Sequence, residues 1–323
     1  MSVKWGIIST AQINRLFLAG ARQAEDVEVV AVASRDAAHA QRYASEHGIE
    51  RAYAGYESLL ADPDLDAVYV SLPNALHVQW SVAALAAGKH VLCEKPLSRR
   101  PADVQQAFDA AQREGGLLME AFMYRHNPQT KRLKGLVDGG AIGAVRMIRA
   151  AFSFVAHSAS DVRLRRALDG GALMDLGCYC VSGARLLAGE PERVTALQVL
   201  GGDGVDTSFA AAISFAGGVL AHFDVGLTHA ARDELEVVGD QGTLFLDDPW
   251  HCREPVIELR RDAGVQRIEL EPVNSYRLEA ENMSAAIRGE APLLLGREDA
   301  LAQARAIEAL YLAADSGQTV TLD

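Results

Sequence analysis

Over about the first 120 residues, the spacing of apolar positions switches repeatedly between an unbroken run and a helical repeat. Residues 3–9 read as a strand, 13–24 repeat at helical spacing, and 27–34 are apolar and β-branched. Residues 37–47 are amphipathic and stopped by Gly48, and 56–61 form a short helix. A strand over 67–72, a glycine-ended helix over 76–87, a strand over 90–93, a helix over 102–114 started by Pro101 and a strand over 117–119 complete the set. Strands that read as unbroken apolar runs are buried on both faces, which requires a parallel sheet covered by helices. The pattern therefore predicts a doubly wound, dinucleotide-binding Rossmann domain over 1–122.

Beyond Tyr124 the pattern changes. A helix over 127–135, a strand over 145–155 and a long helix over 172–187 precede seven strand-like runs: 193–200, 207–215, 219–227, 234–238, 242–246, 256–260 and 266–270. Ala216-Gly217-Gly218 and Gly239-Asp240-Gln241-Gly242 supply hairpin turns, and helices over 275–288 and 298–316 close the chain. This predicts an α+β domain with a largely antiparallel sheet over 123–323.

Composition narrows the function. Of the 323 residues, 49% are hydrophobic and 23% charged, as in ordinary globular proteins. The net charge of −12 excludes nucleic acid and anionic membrane as expected partners, since both demand a basic face. No apolar run approaches the roughly 20 residues that span a bilayer, and no signal-type segment precedes the first strand, so the expected location is the cytoplasm. Cys93, Cys178, Cys180 and Cys252 fit neither a disulfide framework nor a metal or redox motif, and read as buried reduced thiols. The histidines show no ligand spacing, so no metal is expected.

Candidate chemistry gathers where strands end, because open α/β sheets bind ligands outside the carboxyl ends of their strands. In the first βα turn, Ser9, Ala11 and Asn14 stand where a dinucleotide fingerprint has glycines. Ser9, Thr10, Ala11 and the start of the helix at Ile13 still present small groups and amides to a pyrophosphate. At the second strand's end, Ser34 and Arg35 suit a 2′-phosphate, while Asp36 beside them is the acidic type that suits a bare ribose. NADP is the expected cofactor, with NAD the alternative. Leu72, Pro73, Asn74 and His77 follow the next strand, where Asn74 fits a helix N-cap as well as a cofactor contact. Glu94 and Lys95 end a further strand, and Pro96 biases Lys95 away from helix. Asp175 and Tyr179 lie four apart in an otherwise apolar helix and so share a face. A tyrosine near pKa 10 is a poor acid or base at neutral pH without a nearby cation, a role Lys95 would fill.

Three stretches carry a resemblance. The run from Ala87 to Pro96, the run from Glu120 to Pro128 and the run from Gly170 to Cys180 resemble the Gfo/Idh/MocA oxidoreductases. They are most similar to the branch with glucose–fructose oxidoreductase, NADP-linked xylose dehydrogenases and dimeric dihydrodiol dehydrogenase. The resemblance implies a catalytic Lys95, an acid/base Tyr179 and a substrate-side Asp175. It also implies that the largely antiparallel sheet over 123–323 is open and that this domain serves substrate binding and oligomerisation. The implied substrate is an aldose or diol, and the implied assembly a homodimer or homotetramer paired through the C-terminal sheet. Arg163 falls near a segment that lines the site in relatives, and His157, Trp250 and His251 are further pocket candidates. Two other functions remain open from the sequence: a non-catalytic nucleotide-binding regulator, and a glycosidase that retains NAD.

Overall fold

The computed structural model describes residues 2–158 and 161–322. They form two compact units, Met1–Met123 with Asn274–Leu301, and Tyr124–Val273 with Ala302–Asp323.

In the first unit the strands are β1 (Val3–Ile8), β2 (Val27–Ser34), β3 (Arg51–Ala54), β4 (Ala67–Val70), β5 (His90–Glu94) and β6 (Leu118–Ala121). Helices α1 (Asn14–Ala21), α2 (Ala37–His47), α3 (Tyr56–Leu60), α4 (His77–Ala86) and α5 (Pro101–Glu114) connect them. The sheet runs β3-β2-β1-β4-β5-β6, parallel throughout. The order reverses between β1 and β4, which is where such sheets open a ligand crevice. Every residue of β4 and β6 is buried, as a sheet covered on both faces requires. The edge strand β3 was not foreseen: its four residues, Arg-Ala-Tyr-Ala, are only partly buried and too few to show a period.

In the second unit, helix α6 (Pro128–Asp138) and strand β7 (Val145–Val155) lead to a π-helical turn, Leu173–Gly177, that continues into α7 (Cys178–Ala188). Strands β8 (Pro191–Leu200), β9 (Asp206–Phe215), β10 (Leu220–Gly226), β11 (Thr228–Gly239), β12 (Thr243–Asp247), β13 (Val256–Arg261) and β14 (Gly264–Glu269) follow. With β15 (Val320–Thr321) the sheet order is β14-β13-β12-β11-β7-β10-β9-β8-β15. The β7–β10 pair is parallel and the other neighbours antiparallel, so the mostly antiparallel sheet expected from sequence is present. Strand β11 is longer than the expected 234–238 because it continues from Thr228 and pairs with β7 across a register shift, where Thr-His-Ala-Ala-Arg shows no alternation.

The boundary differs from an uninterrupted second domain over 123–323. Helix α8 (Ser275–Ile287) and the start of α9 (Arg297–Ser316) belong to the first unit. The reason is packing. Ala280 and Met283 of α8 are fully buried, the Trp5 indole donates to Ser284 Oγ at 3.2 Å, and a Cβ on Gly20 of α1 would collide with the α8 backbone. A contiguous reading of the sequence cannot see a chain that returns to its first unit after some 150 residues.

Candidate active site

In the first unit, the turn after β1 keeps the shape of a phosphate-binding loop without the glycines. Ser9 sits at φ 130°, a conformation that usually calls for glycine. Hydrogen bonds hold it there. Its hydroxyl donates to the Ser71 carbonyl at 3.0 Å and accepts from the Ala11 amide at 3.1 Å. The Asn14 side chain donates to the Ser9 carbonyl at 3.0 Å and accepts from the Ser71 hydroxyl at 2.5 Å. Ser9, Asn14 and Ser71 are all buried. Ser71 follows β4, so this triad sits at the point where the strand order reverses. Sequence reasoning missed Ser71, which lies far along the chain with no local signal.

With the loop fixed this way, the amides of Thr10, Gln12 and Ile13 have no partner among the described residues. Helix starts leave such donors, and they suit an anion. The residues therefore fit a dinucleotide pyrophosphate. At the end of β2, Asp36 accepts the His39 amide at 2.6 Å and caps α2, which commits its carboxylate to the helix. Arg35 is exposed beside it, against the Tyr56 hydroxyl; burial raises the Tyr56 pKa while Arg35 pulls it down. Ser34 Oγ lies within 3.4 Å of the Asp36 amide.

Along β4 and β5, two expectations change. Asn74 begins a 3-10 turn, Asn74–Leu76, and does not cap α4. His77 is 1% exposed, with Nε2 at 2.7 Å from the Leu72 carbonyl and Nδ1 at 2.9 Å from the Pro96 carbonyl. Burial pushes its pKa down to about 4, although both carbonyls pull it back up. The neutral imidazole has one N–H and donates to only one of them, while both ring nitrogens face backbone within this unit. Leu72 is buried and Pro73 partly so. Lys95 is half-buried and joined to Pro96 by a cis peptide. The buried Glu94 accepts from the Tyr69 hydroxyl and from the Lys95 amide. Glu279 is fully buried on α8 with neither carboxyl oxygen partnered among the described residues; burial first, then Glu94, push its pKa well up.

In the second unit, the residues around Asp175 and Tyr179 are drawn from several elements. The π-helical turn replaces the regular helix expected there, so the four-residue spacing is not that of one α-helical face. Asp175 Oδ2 accepts Arg163 Nε at 2.7 Å, and Arg163 also pairs with Asp161 at 3.3 Å and lies over the Phe154 ring at 5.6 Å. The Asp175 carboxylate is the main reason the Arg163 pKa rises. Tyr179 is 6% exposed and enclosed by the rings of Tyr124, Phe152 and Trp250 at centroid distances of 5.8, 5.6 and 6.0 Å. Trp250 is therefore packed against Tyr179 and fully buried, where a surface loop was the alternative. His157 lies exposed in the loop after β7.

His251 packs edge-on to Phe152 and bonds Asp233 Oδ2 at 2.5 Å. Burial alone would lower its pKa, but the hydrogen bonds to Asp233 and Asp248 outweigh this and raise it to about 9. These three side chains bring ligand atoms within 4.8 Å of one another; Asp248 and His251 are three apart in the chain, while Asp233 comes from β11. Arg253 already neutralises Asp248 at 3.1 Å, so the cluster is an ion-pair network.

Comparison with known proteins shows the family to which the chain belongs. Residues 3–122 match the oxidoreductase family with an NAD-binding Rossmann fold, and residues 130–245 match the GFO/IDH/MocA C-terminal domain. The chain belongs to the Gfo/Idh/MocA oxidoreductases. It is 40% identical to a D-xylose 1-dehydrogenase (NADP(+)) from Haloferax volcanii over 99% of both chains. It is 36% identical to a trans-1,2-dihydrobenzene-1,2-diol dehydrogenase from Danio rerio over 89% of both. Among solved structures, the 3-ketoreductase KijD10 from Actinomadura kijaniata, in complex with NADP and TDP-benzene, superposes with a TM-score of 0.91. It is 32% identical and covers 97% of this chain and 98% of that one. The protein is thus an oxidoreductase with an NAD(P)-binding Rossmann domain. No described helix is long and apolar enough to cross a membrane.

Proposed function

We propose that this enzyme is an NADP-preferring dehydrogenase or reductase that moves a hydride between nicotinamide and a CH–OH carbon of an aldose or cyclic diol. The observation that carries the cofactor preference is the end of β2: the one carboxylate there caps α2, leaving Ser34 and Arg35 for a 2′-phosphate. The Haloferax enzyme's NADP and D-xylose and the Danio enzyme's dihydrodiol support the same reading. Ser9, Thr10, Ala11 and Ile13 would hold the pyrophosphate, and Leu72, Pro73, Asn74, Glu94 and Lys95 the nicotinamide side. The bound nucleotide supplies the hydride acceptor or donor at its nicotinamide ring.

Tyr179 takes the substrate hydroxyl proton during oxidation and returns it in the reverse direction. Lys95 supplies the positive charge that brings a tyrosine into range for this at neutral pH. Asp175, held by Arg163, orients the substrate hydroxyls. The enzyme acts in the cytoplasm as a homodimer or homotetramer paired through the second-unit sheet. Leu197 and Val199 of β8, 75 and 62% exposed, and Leu220 of β10 two strands away, 47% exposed, support that pairing.

The test begins with purified protein whose mass is set by light scattering, where two or four chains are expected. NADPH and NADH are then titrated by fluorescence into wild type and Arg35→Ala. Tighter NADPH binding that weakens by roughly 10- to 100-fold in the variant is expected for a lost charge-assisted contact. Equal or stronger NADH binding overturns the preference. Lys95→Ala should lower kcat on D-xylose or a dihydrodiol about 100-fold or more. A variant that keeps its turnover removes Lys95 from the chemistry. Sugar release with no net change in nicotinamide absorbance would assign the enzyme to NAD-retaining glycosidases.

A further inference from the structure

The helix that carries Asp175 and Tyr179 begins at a turn with no capping side chain of its own. Its first amides are instead taken by a residue from a different element. Asp206, the first residue of β9, accepts the Leu173 amide on Oδ2 at 2.6 Å and also bonds the Ala172 amide. Its other oxygen accepts the Tyr311 hydroxyl of α9 at 2.9 Å. Asp206 is 2% exposed, so the carboxyl is sealed in place.

Gly171 lets this happen. It sits at φ 131°, and a Cβ there would collide with Asp206 Oδ1 and crowd the Tyr311 hydroxyl. The Gly171 amide in turn donates to the Arg163 carbonyl at 2.8 Å, while the Arg163 side chain reaches Asp175 at 2.7 Å. One buried carboxyl therefore fixes the start of the π-helical turn, and the same turn fixes the backbone of Arg163.

We propose that Asp206 is a positioning residue for catalysis, latching with Tyr311 the helical turn that sets Asp175, Arg163 and Tyr179. The proposal rests on the roles given above to Asp175 and Tyr179. The latch acts on alignment: a turn that loses it drifts, and small misplacement of reacting groups costs rate far more than it costs binding. Neither Asp206 nor Tyr311 touches substrate in this account.

The test compares Asp206→Ala, Asp206→Asn and Tyr311→Phe with wild type. Hydrogen–deuterium exchange is followed over residues 171–179, and kcat and KM are measured on the best aldose or diol substrate. Asp206→Ala should exchange the amides of this segment at least tenfold faster and lower kcat about tenfold or more. Its KM for NADPH should stay within about twofold, because the cofactor residues lie in the other unit. Asp206→Asn keeps one acceptor oxygen for the Leu173 amide and should recover most of the protection and part of kcat. Tyr311→Phe should fall between wild type and Asp206→Asn. Unchanged exchange, or a folded Asp206→Ala with kcat within twofold of wild type, overturns the proposal. Where Asp206→Ala does not fold, the same comparison is made with Asp206→Asn and Tyr311→Phe. The two readings fail separately: a Tyr179→Phe variant with full turnover sinks the catalytic assignment, while the exchange data still report on the latch.

Discussion

Two turns feed the helices proposed to serve cofactor and chemistry, and they solve the same geometric problem by opposite means. The loop from Ser9 to Asn14 must hold Ser9 at a φ that favours glycine while leaving the amides of Thr10, Gln12 and Ile13 to face a ligand, and it has no glycine. Side chains brace it: Ser9, Asn14 and Ser71 close a buried hydrogen-bonded triad around the strained position. The turn at Gly170-Gly171 has the glycines and spends them on proximity, letting the Arg163 carbonyl and the Asp206 carboxyl press against the backbone. Strain at a functional turn persists when the surroundings over-determine it. Here that is achieved once by added polar contacts and once by removed atoms. The two turns should therefore fail differently under substitution.

The largest effect is expected at the glycine turn. Gly171→Ala adds a Cβ into Asp206 and forces an alanine to a strongly positive φ. Overpacking and backbone strain each cost on the order of 1–3 kcal/mol, so a loss of about 4 kcal/mol in urea unfolding is expected. A loss below about 1 kcal/mol would mean the close approach is not tight, and the comparison would collapse.

The side-chain turn should give a smaller loss. Asn14→Ala removes a donor and an acceptor at once and leaves the Ser9 carbonyl and the Ser71 hydroxyl without those partners in a buried site. Stranded buried groups cost roughly 1–3 kcal/mol each, and water entering the new space recovers part of this, leaving about 2 kcal/mol. The loop amides lose their support, so NADPH affinity should fall about tenfold in the fluorescence titration. Stability that drops with NADPH binding intact would show that the triad holds the fold and not the binding loop.

The contrast also explains what could be read from the sequence. Helix α2 and strand β7 have the ends that periodicity and a glycine stop assign, because both elements are built from local signals. Lys95 and the Asp175–Tyr179 stretch stood out for the same reason. Ser71, Asp206 and Tyr311 did not, since each acts on a turn distant in the chain and none breaks the pattern of its own element. Asp36 was misleading in type, being acidic at the ribose position, until its bond to the His39 amide showed it to be a helix cap. The missing fingerprint glycines were misleading in the other direction. What periodicity cannot carry is a bond between elements far apart in the chain.

The smallest effect is a pH dependence at Asp206, and it sharpens the comparison most. Burial pushes this carboxyl up to about 6, above its unfolded value near 4, although the amide bonds pull it back. A folded-state pKa raised this way favours the protonated form. The stability it contributes is fully present below the unfolded pKa and is lost as pH rises through about 6. Between pH 5 and pH 8 that loss is about 1 kcal/mol, from linkage of a single group. Asp206→Asn does not titrate, so its stability relative to wild type should rise by this amount across the same range in paired urea titrations. A gap that is flat with pH would mean the carboxyl keeps an ordinary pKa in the folded protein. A gap that widens as expected would mean that ionising the buried latch costs the fold about this much between pH 5 and pH 8. Selection keeps such groups where function needs them, and the cost would then belong to the alignment of the turn that carries Asp175.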